Sequence, residues 1–146
     1  MKAATIKHLK RWCQKNHIDL CVLFGSQVTG KTHAGSDVDI AILSLKQSDL
    51  FKQWLHLNGE LEDLFGHPID LVILEPDTDP VLRLEIFRHG KPLYESNPGL
   101  FFEQYFTAIK IYEDSEPLRR LRDRVLARRI LNLKYVDRKK YVSAVD

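Results

Sequence analysis

Long apolar runs are missing from this 146-residue chain. None approaches the roughly 20 residues that a membrane-spanning helix requires. A signal peptide is missing too, because Lys2, Lys7, Lys10, Arg11 and Lys15 interrupt the apolar residues of the first sixteen positions. Cysteine is scarce. Cys13 and Cys21 form no CxxC pair and have no second cluster, so a reduced cytoplasmic chain is the simplest expectation, with a single bridge between them left open. The six histidines are scattered, and none makes a metal-spaced pair. Repeats and low-complexity stretches are also lacking. What remains is ordinary globular composition, 44% hydrophobic and 29% charged, which excludes a disordered or fibrous protein. The length suits one domain with room for a core.

A net charge of +2 conceals an asymmetry. Residues Pro117 to Lys140 hold seven Arg, three Lys and two Asp, a surplus of +8 that leaves −6 for the rest. An acidic body thus carries a basic tail region, as expected of a chain with a charged partner.

Periodicity sets out the elements. Ile6, Leu9 and Cys13 predict a helix over 3–16, and Ile18 to Phe24 is a compact apolar run that reads as a buried strand ending at Gly25-Ser26. Residues 27–36 read as a loop or a short helical turn, and Asp37 to Leu43 as a strand. Leu50, Trp54, Leu57, Leu61 and Leu64 mark a second helix, with Ser48 or Asp49 as cap and Gly66 as a left-handed stop before Pro68. Ile69 to Leu74 predicts a third strand. Asp79-Pro80 opens another helix that ends at Gly90, and Pro92 to Tyr94 an edge strand. From Pro98 two helical pieces follow, broken near Asp114 to Pro117. This order predicts an α/β (α+β) fold, a small mixed β-sheet with helices packed on one side and C-terminal helices beyond it.

Chemistry concentrates on a few of these positions. Asp37 and Asp39 are two apart in a strand, so both side chains leave one face, while Val38, Ile40 and Ile42 point the other way. Aspartate is depleted in strands, and two on one face repel each other unless a cation lies between them. Oxygen donors without His or Cys nearby favour Mg²⁺. Asp70, near the start of the next apolar strand, reaches the same patch if the two strands pair. Three carboxylates can then hold two Mg²⁺ ions about 3.5–4 Å apart. Gly25-Ser26 supplies the complement, a glycine that lets the backbone approach a phosphate and a hydroxyl with backbone N–H groups to donate to it. Together these fit a nucleoside triphosphate. Asp-x-Asp alone is weak. Gly-Ser, ten residues and then Asp-x-Asp arises by chance in roughly one chain in 600, before strands and a third aspartate are required.

Leu23-Phe24-Gly25-Ser26 through Asp37-Val38-Asp39-Ile40, with Asp70 downstream, resembles the DNA polymerase β-like nucleotidyltransferase superfamily, and the short length resembles its minimal branch. The resemblance covers about residues 1–95, the expected catalytic unit, with 96–146 a helical extension packed on that domain or on a partner. More loosely, Tyr112 to Leu126 looks like the C-terminal helix of minimal nucleotidyltransferase antitoxins paired with HEPN-domain toxins. The resemblance implies the nucleotidyltransferase fold, with Gly25 and Ser26 as triphosphate contacts. It makes Asp37 and Asp39 ligands of both metals, and Asp70 a ligand of the catalytic one and its candidate base. Many minimal members carry arginine shortly after Gly-Ser. Here Gln27-Val28-Thr29 follow and Lys31 is the first cation, so Lys31 takes the phosphate contact. The implied function is Mg²⁺-dependent transfer of AMP from ATP to a hydroxyl of a HEPN-type toxin, within a hetero-oligomer and in the cytoplasm.

Other outcomes have their own signals. Transfer to a small molecule such as an aminoglycoside usually comes with an added helical domain, and the roughly 50 residues after Tyr94 are short for one. A purely masking antitoxin would have no reason to keep Asp37, Asp39 and Asp70. RNA binding through the basic tail would bring a steep salt dependence, though aromatics do not interleave its basic part. His33 reads as an exposed loop residue and Trp54 as core. Phe101, Phe102, Tyr105 and Phe106 divide between core and partner contact. In 117–135, Leu118, Leu121, Val125, Leu126, Ile130 and Leu133 form an apolar arc that includes Arg122 and Arg129. That mixture suits an interface, against a solvated basic helix with its arginine stems over the body.

Overall fold

The computed structural model describes residues 2–25, 37–46 and 49–145, with side chains as far as Lys134. Two compact units divide the chain, residues 1–110 and 111–146.

The first unit begins with α1 (Ala3–Lys15), whose buried residues are Leu9, Trp12 and Cys13. Ile6 falls outside that stripe, 41% exposed, near the start of the helix and one turn before Leu9. His17 then turns the chain at φ 57 into β1 (Leu20–Phe24), which pairs antiparallel with β2 (Val38–Leu43). A 3₁₀ turn (Leu50–Gln53) leads into α2 (Trp54–Phe65). Of the two expected caps, Ser48 lies outside the described residues, and Asp49 before the turn makes no side-chain capping bond, nor does Gln53 before the α-helix. The predicted stop is present, Gly66 at φ 65, a conformation that costs glycine nothing. β3 (Ile69–Ile73) returns parallel to β2, as a helical crossover requires. α3 (Pro80–His89) starts with Pro80 in its first turn, although Asp79 makes no side-chain cap. β4 (Lys91–Glu95) pairs antiparallel with β1, so the sheet order is β3-β2-β1-β4 and β4 forms an edge.

Burial follows the strand alternation. Cys21, Val38, Ile40, Ile42, Ile69 and Leu71 share one face and pack with Leu9, Trp12, Cys13, Leu57 and Leu61 of α1 and α2. Trp12 Nε1 donates to Glu60 Oε2 at 3.1 Å, tying the two helices together. Trp54 belongs to the core, as its place in the stripe predicts, and its Nε1 donates to the Leu71 carbonyl at 2.9 Å. Helices on one side describe α1 and α2, but the cover extends to the second face. Val22 and Ala41, which alternate with that first set, are fully buried as well, and α3 contacts β1. Among the residues of α3 and α4 (Leu100–Asp114), Leu84, Ile86, Phe87, Leu100, Phe101 and Ala108 are buried. The Phe87 and Phe101 rings stand 5.4 Å apart. Phe102 and Phe106 face solvent, so the aromatic cluster does divide between core and surface. Arg83 is buried, its guanidinium donating to the Glu75 carbonyl while Nε has no partner among the described residues, and burial lowers its pKa.

The second unit holds the end of α4 and α5 (Glu116–Val145), a 30-residue helix. Ser115 separates them. Arg119 lies 3.7 Å over the Tyr112 ring and donates to the Tyr112 carbonyl and to Ser115 Oγ. From Arg120 to Lys134 every residue of α5 is exposed. Cys13 and Cys21 are both buried free thiols. No helix among the described residues is long and apolar enough to cross a membrane.

Candidate active site

The sheet brings the sequence-predicted residues together at one end. β1 ends where β2 begins, and Phe24 pairs with Asp39. β3 begins beside β2, and Asp70 is the register partner of Asp39. Paired residues in neighbouring strands project from the same face about 4.8 Å apart, so the Asp39 and Asp70 carboxylates leave the sheet side by side. The register is pinned from both ends: Val38 N–H donates to the Pro68 carbonyl at 2.9 Å, and Leu74 N–H to the Ile42 carbonyl at 2.8 Å. A slip of β3 by one residue against β2 would turn Asp70 toward the α1–α2 core and Leu71 away from it. Burial of the aliphatics therefore fixes where the acids stand.

Gly25 completes this corner. It follows β1 with φ 75, and a Cβ built there would overlap Asp39 Oδ2. Two separate constraints therefore exclude a side chain at position 25: the left-handed backbone and the carboxylate packed against it. Phosphate approach was the role expected from the sequence, and the contact with Asp39 was missed. Its signal lay in the tight antiparallel pairing of the strands on either side of Gly25-Ser26.

Asp37 sits one residue before β2, not within it, and is exposed; Asp70 is exposed and Asp39 half-buried. Ser26 and Lys31, the other expected nucleotide contacts, lie outside the described residues, as does His33. Among the described residues, no three His, Cys, Asp or Glu side chains gather closely enough to form a ready metal cage. What this corner offers a metal is therefore its donor chemistry: carboxylate oxygens, two of them held adjacent by register. Hard oxygen donors match Mg²⁺, which keeps several waters or substrate oxygens in its shell.

The opposite end of the sheet is different. A cavity of about 190 Å³ there is lined by His17, Asp19, Lys46 and Tyr94 among others, and none of the predicted site residues borders it. Asp19 spends Oδ2 on the Leu45 N–H at 2.7 Å. Burial, with Cys13 and Asp19 nearby, raises the Tyr94 pKa.

The corner of a small mixed sheet that carries an Asp-x-Asp at the start of β2, a register-paired aspartate on β3 and a glycine turn defines the class. Residues 7–99 match the family described as polymerase beta, nucleotidyltransferase, and the chain belongs to that family. Its relatives include the protein adenylyltransferase MntA of Shewanella oneidensis, 34% identical over 77 residues, or 53% of this chain and 54% of that protein. The chain thus spans about half the length of this curated relative. Solved structures extend the likeness. A chain of a crystal structure of a toxin–antitoxin with AMP-PNP superposes with a TM-score of 0.68 at 25% identity, matching 83% of this chain and 98% of that one. A chain of the MntA–HepT toxin–antitoxin gives 0.64 at 22% identity, matching 86% and 99%. A third, from a tri-AMPylated Shewanella oneidensis HEPN toxin in complex with its MNT antitoxin, gives the same values and adds support for the fold.

Proposed function

We propose that this chain is a protein adenylyltransferase, an antitoxin that moves AMP from ATP onto a hydroxyl of a HEPN-type toxin in the cytoplasm. The observation that carries the proposal is the parallel register of Asp39 and Asp70 beside Gly25, in a chain of the nucleotidyltransferase family. The kinship with an adenylyltransferase and with AMP-PNP-bound and AMPylated toxin–antitoxin complexes supplies the nucleotide and the acceptor class. The catalytic unit is assigned to residues 1–95 and the helical extension to 96–146.

In this assignment Asp37, Asp39 and Asp70 would hold two Mg²⁺ ions, which when bound supply the positive charge that neutralises the triphosphate. Gly25, without a side chain, would let the backbone approach a phosphate, with the backbone and hydroxyl of Ser26 as donors and Lys31 as the nearest cation in sequence. Asp70, exposed at the strand start, takes the proton of the acceptor hydroxyl. The acceptor oxygen attacks the α-phosphorus, the bond from that phosphorus to the bridging oxygen breaks, and pyrophosphate leaves with its electron pair. Placement and charge, more than covalent chemistry, account for the rate.

Intact mass of the toxin after incubation with this chain, Mg²⁺ and ATP tests the proposal. Steps of one AMP are expected with the wild type and none with Asp39→Asn; unmodified toxin in both would remove it. An independent check on the metal needs no turnover. Mg²⁺ should raise the thermal midpoint of the wild type but not of Asp39→Asn/Asp70→Asn, by linkage to the folded state.

A further inference from the structure

The helix α5 has a surface that its own unit does not satisfy. Leu118, Leu121, Val125, Leu126, Ile130 and Leu133 are all exposed, Leu118 at 71% and Leu133 at 66%. At 3.6 residues per turn they fall on one half of the helix circumference. Arg122 and Arg129 stand in the middle of that half, seven residues and therefore about 10.5 Å apart along the axis. No carboxylate shares it between Leu121 and Ile130. Arg122 meets only its neighbour Asp123, at 3.6 Å and exposed, and none of the ion pairs among the described residues includes Arg129. Arg120 and Arg124 occupy the opposite half, where Arg120 pairs with Glu116.

We propose that this half of α5 is the docking surface for the acceptor protein, whose matching strip is apolar and carries two carboxylates about one heptad apart. The proposal rests on the acceptor being a protein, as stated above. Charge complementarity selects the occupant. A second copy would set Arg122 and Arg129 against arginines and add a second +8 segment, a like-charge contact that weakens association. A nucleic acid would answer the charge but leave six aliphatic side chains in water. An acidic, apolar protein surface answers both, with each arginine able to form a bidentate pair at the centre of the contact. Docking there would hold the acceptor to the enzyme through a helix remote in sequence from Asp39, so affinity and chemistry separate by residue.

The experiment uses the full chain and the purified HEPN-type toxin as probe, with affinity from titration calorimetry and transfer from intact mass. Arg122→Glu/Arg129→Glu should weaken binding about 100-fold and raise the KM for toxin, with kcat at saturating toxin retained. Arg120→Glu/Arg124→Glu carries the same charge change on the other half and should alter affinity less than about threefold. Leu126→Ala should weaken binding by about tenfold. Equal losses in both double variants would overturn the proposal in favour of unspecific attraction. Unchanged affinity in the first would overturn it outright. So would single-stranded RNA binding that only Arg122→Glu/Arg129→Glu abolishes while toxin affinity stays intact. If the wild type binds toxin but transfers nothing, the enzymatic assignment fails while the affinities still decide the docking surface. Circular dichroism of each variant guards against loss of the helix.

Discussion

In β2 a single carboxylate, Asp39, interrupts five buried aliphatics, whereas in α5 seven exposed aliphatics interrupt a field of arginines. Both break the usual partition of polar and apolar residues, but in opposite settings. Asp39 is held by neighbours on every side: Phe24 and Asp70 across the strands, Gly25 against its carboxylate, Val38 and Ile40 locked in the core behind it. The α5 aliphatics are held by nothing in their own unit. Misplaced charge in a rigid frame marks a site for chemistry, since the frame keeps like charges together against their repulsion. Misplaced apolar area on a lone helix marks a site for association.

That contrast can be broken by substitution. The largest effect is expected from Asp39→Asn, which should lower AMP transfer at least about 1,000-fold while the fold persists, as followed by single-turnover kinetics and circular dichroism. Gly25→Ala comes next. Its Cβ must displace the Asp39 carboxylate, and a displacement of about 1 Å is worth on the order of 100-fold in rate. The left-handed backbone adds roughly 1–2 kcal/mol of instability, measurable by urea denaturation; an alanine variant of normal rate would show that Asp39 placement is not critical. In the core, Leu57→Ala should cost about 2–5 kcal/mol, whereas Leu133→Ala on α5 should stay within about 0.5 kcal/mol. Equal costs would erase the distinction between the two regions.

A smaller effect concerns pH. The buried Cys13 thiol, hydrogen-bonded to Cys21 and desolvated, has its pKa raised above the ordinary value of 9.0. The unfolded chain then loses this proton before the folded one. Stability from this group is complete below pH 9 and falls above it, by up to about 1.4 kcal/mol per pH unit. Comparing denaturation midpoints at pH 8 and pH 10 should show a loss in the wild type that shrinks in Cys13→Ala.

Much of this was legible in the sequence because burial is periodic. The stripe Leu50, Trp54, Leu57, Leu61, Leu64 and the alternation of Val38, Ile40 and Ile42 against Asp39 have one solution each. Gly66 announced its left-handed stop. Capping was less legible. Asp49 and Asp79 are good caps by type, yet neither makes the side-chain bond. Ile6 followed the helical period but is 41% exposed near the start of α1, whereas Trp12 is buried and reaches Glu60. The nearness of Gly25 to Asp39 depends on cross-strand register, which a one-dimensional pattern states only after the pairing is known. Cover on the second face arises from α3, late in the chain, and the early strands alone do not reveal which helix returns to them.

The most direct test of the central claim follows which phosphate of ATP moves. With the toxin as acceptor, α-labelled ATP should leave its label on protein and γ-labelled ATP should release its label as pyrophosphate, both reactions being lost in Asp70→Asn although ATP still binds. Label from the γ-position on protein, or unchanged transfer by Asp70→Asn, would contradict nucleotidyl transfer by the carboxylates of β2 and β3.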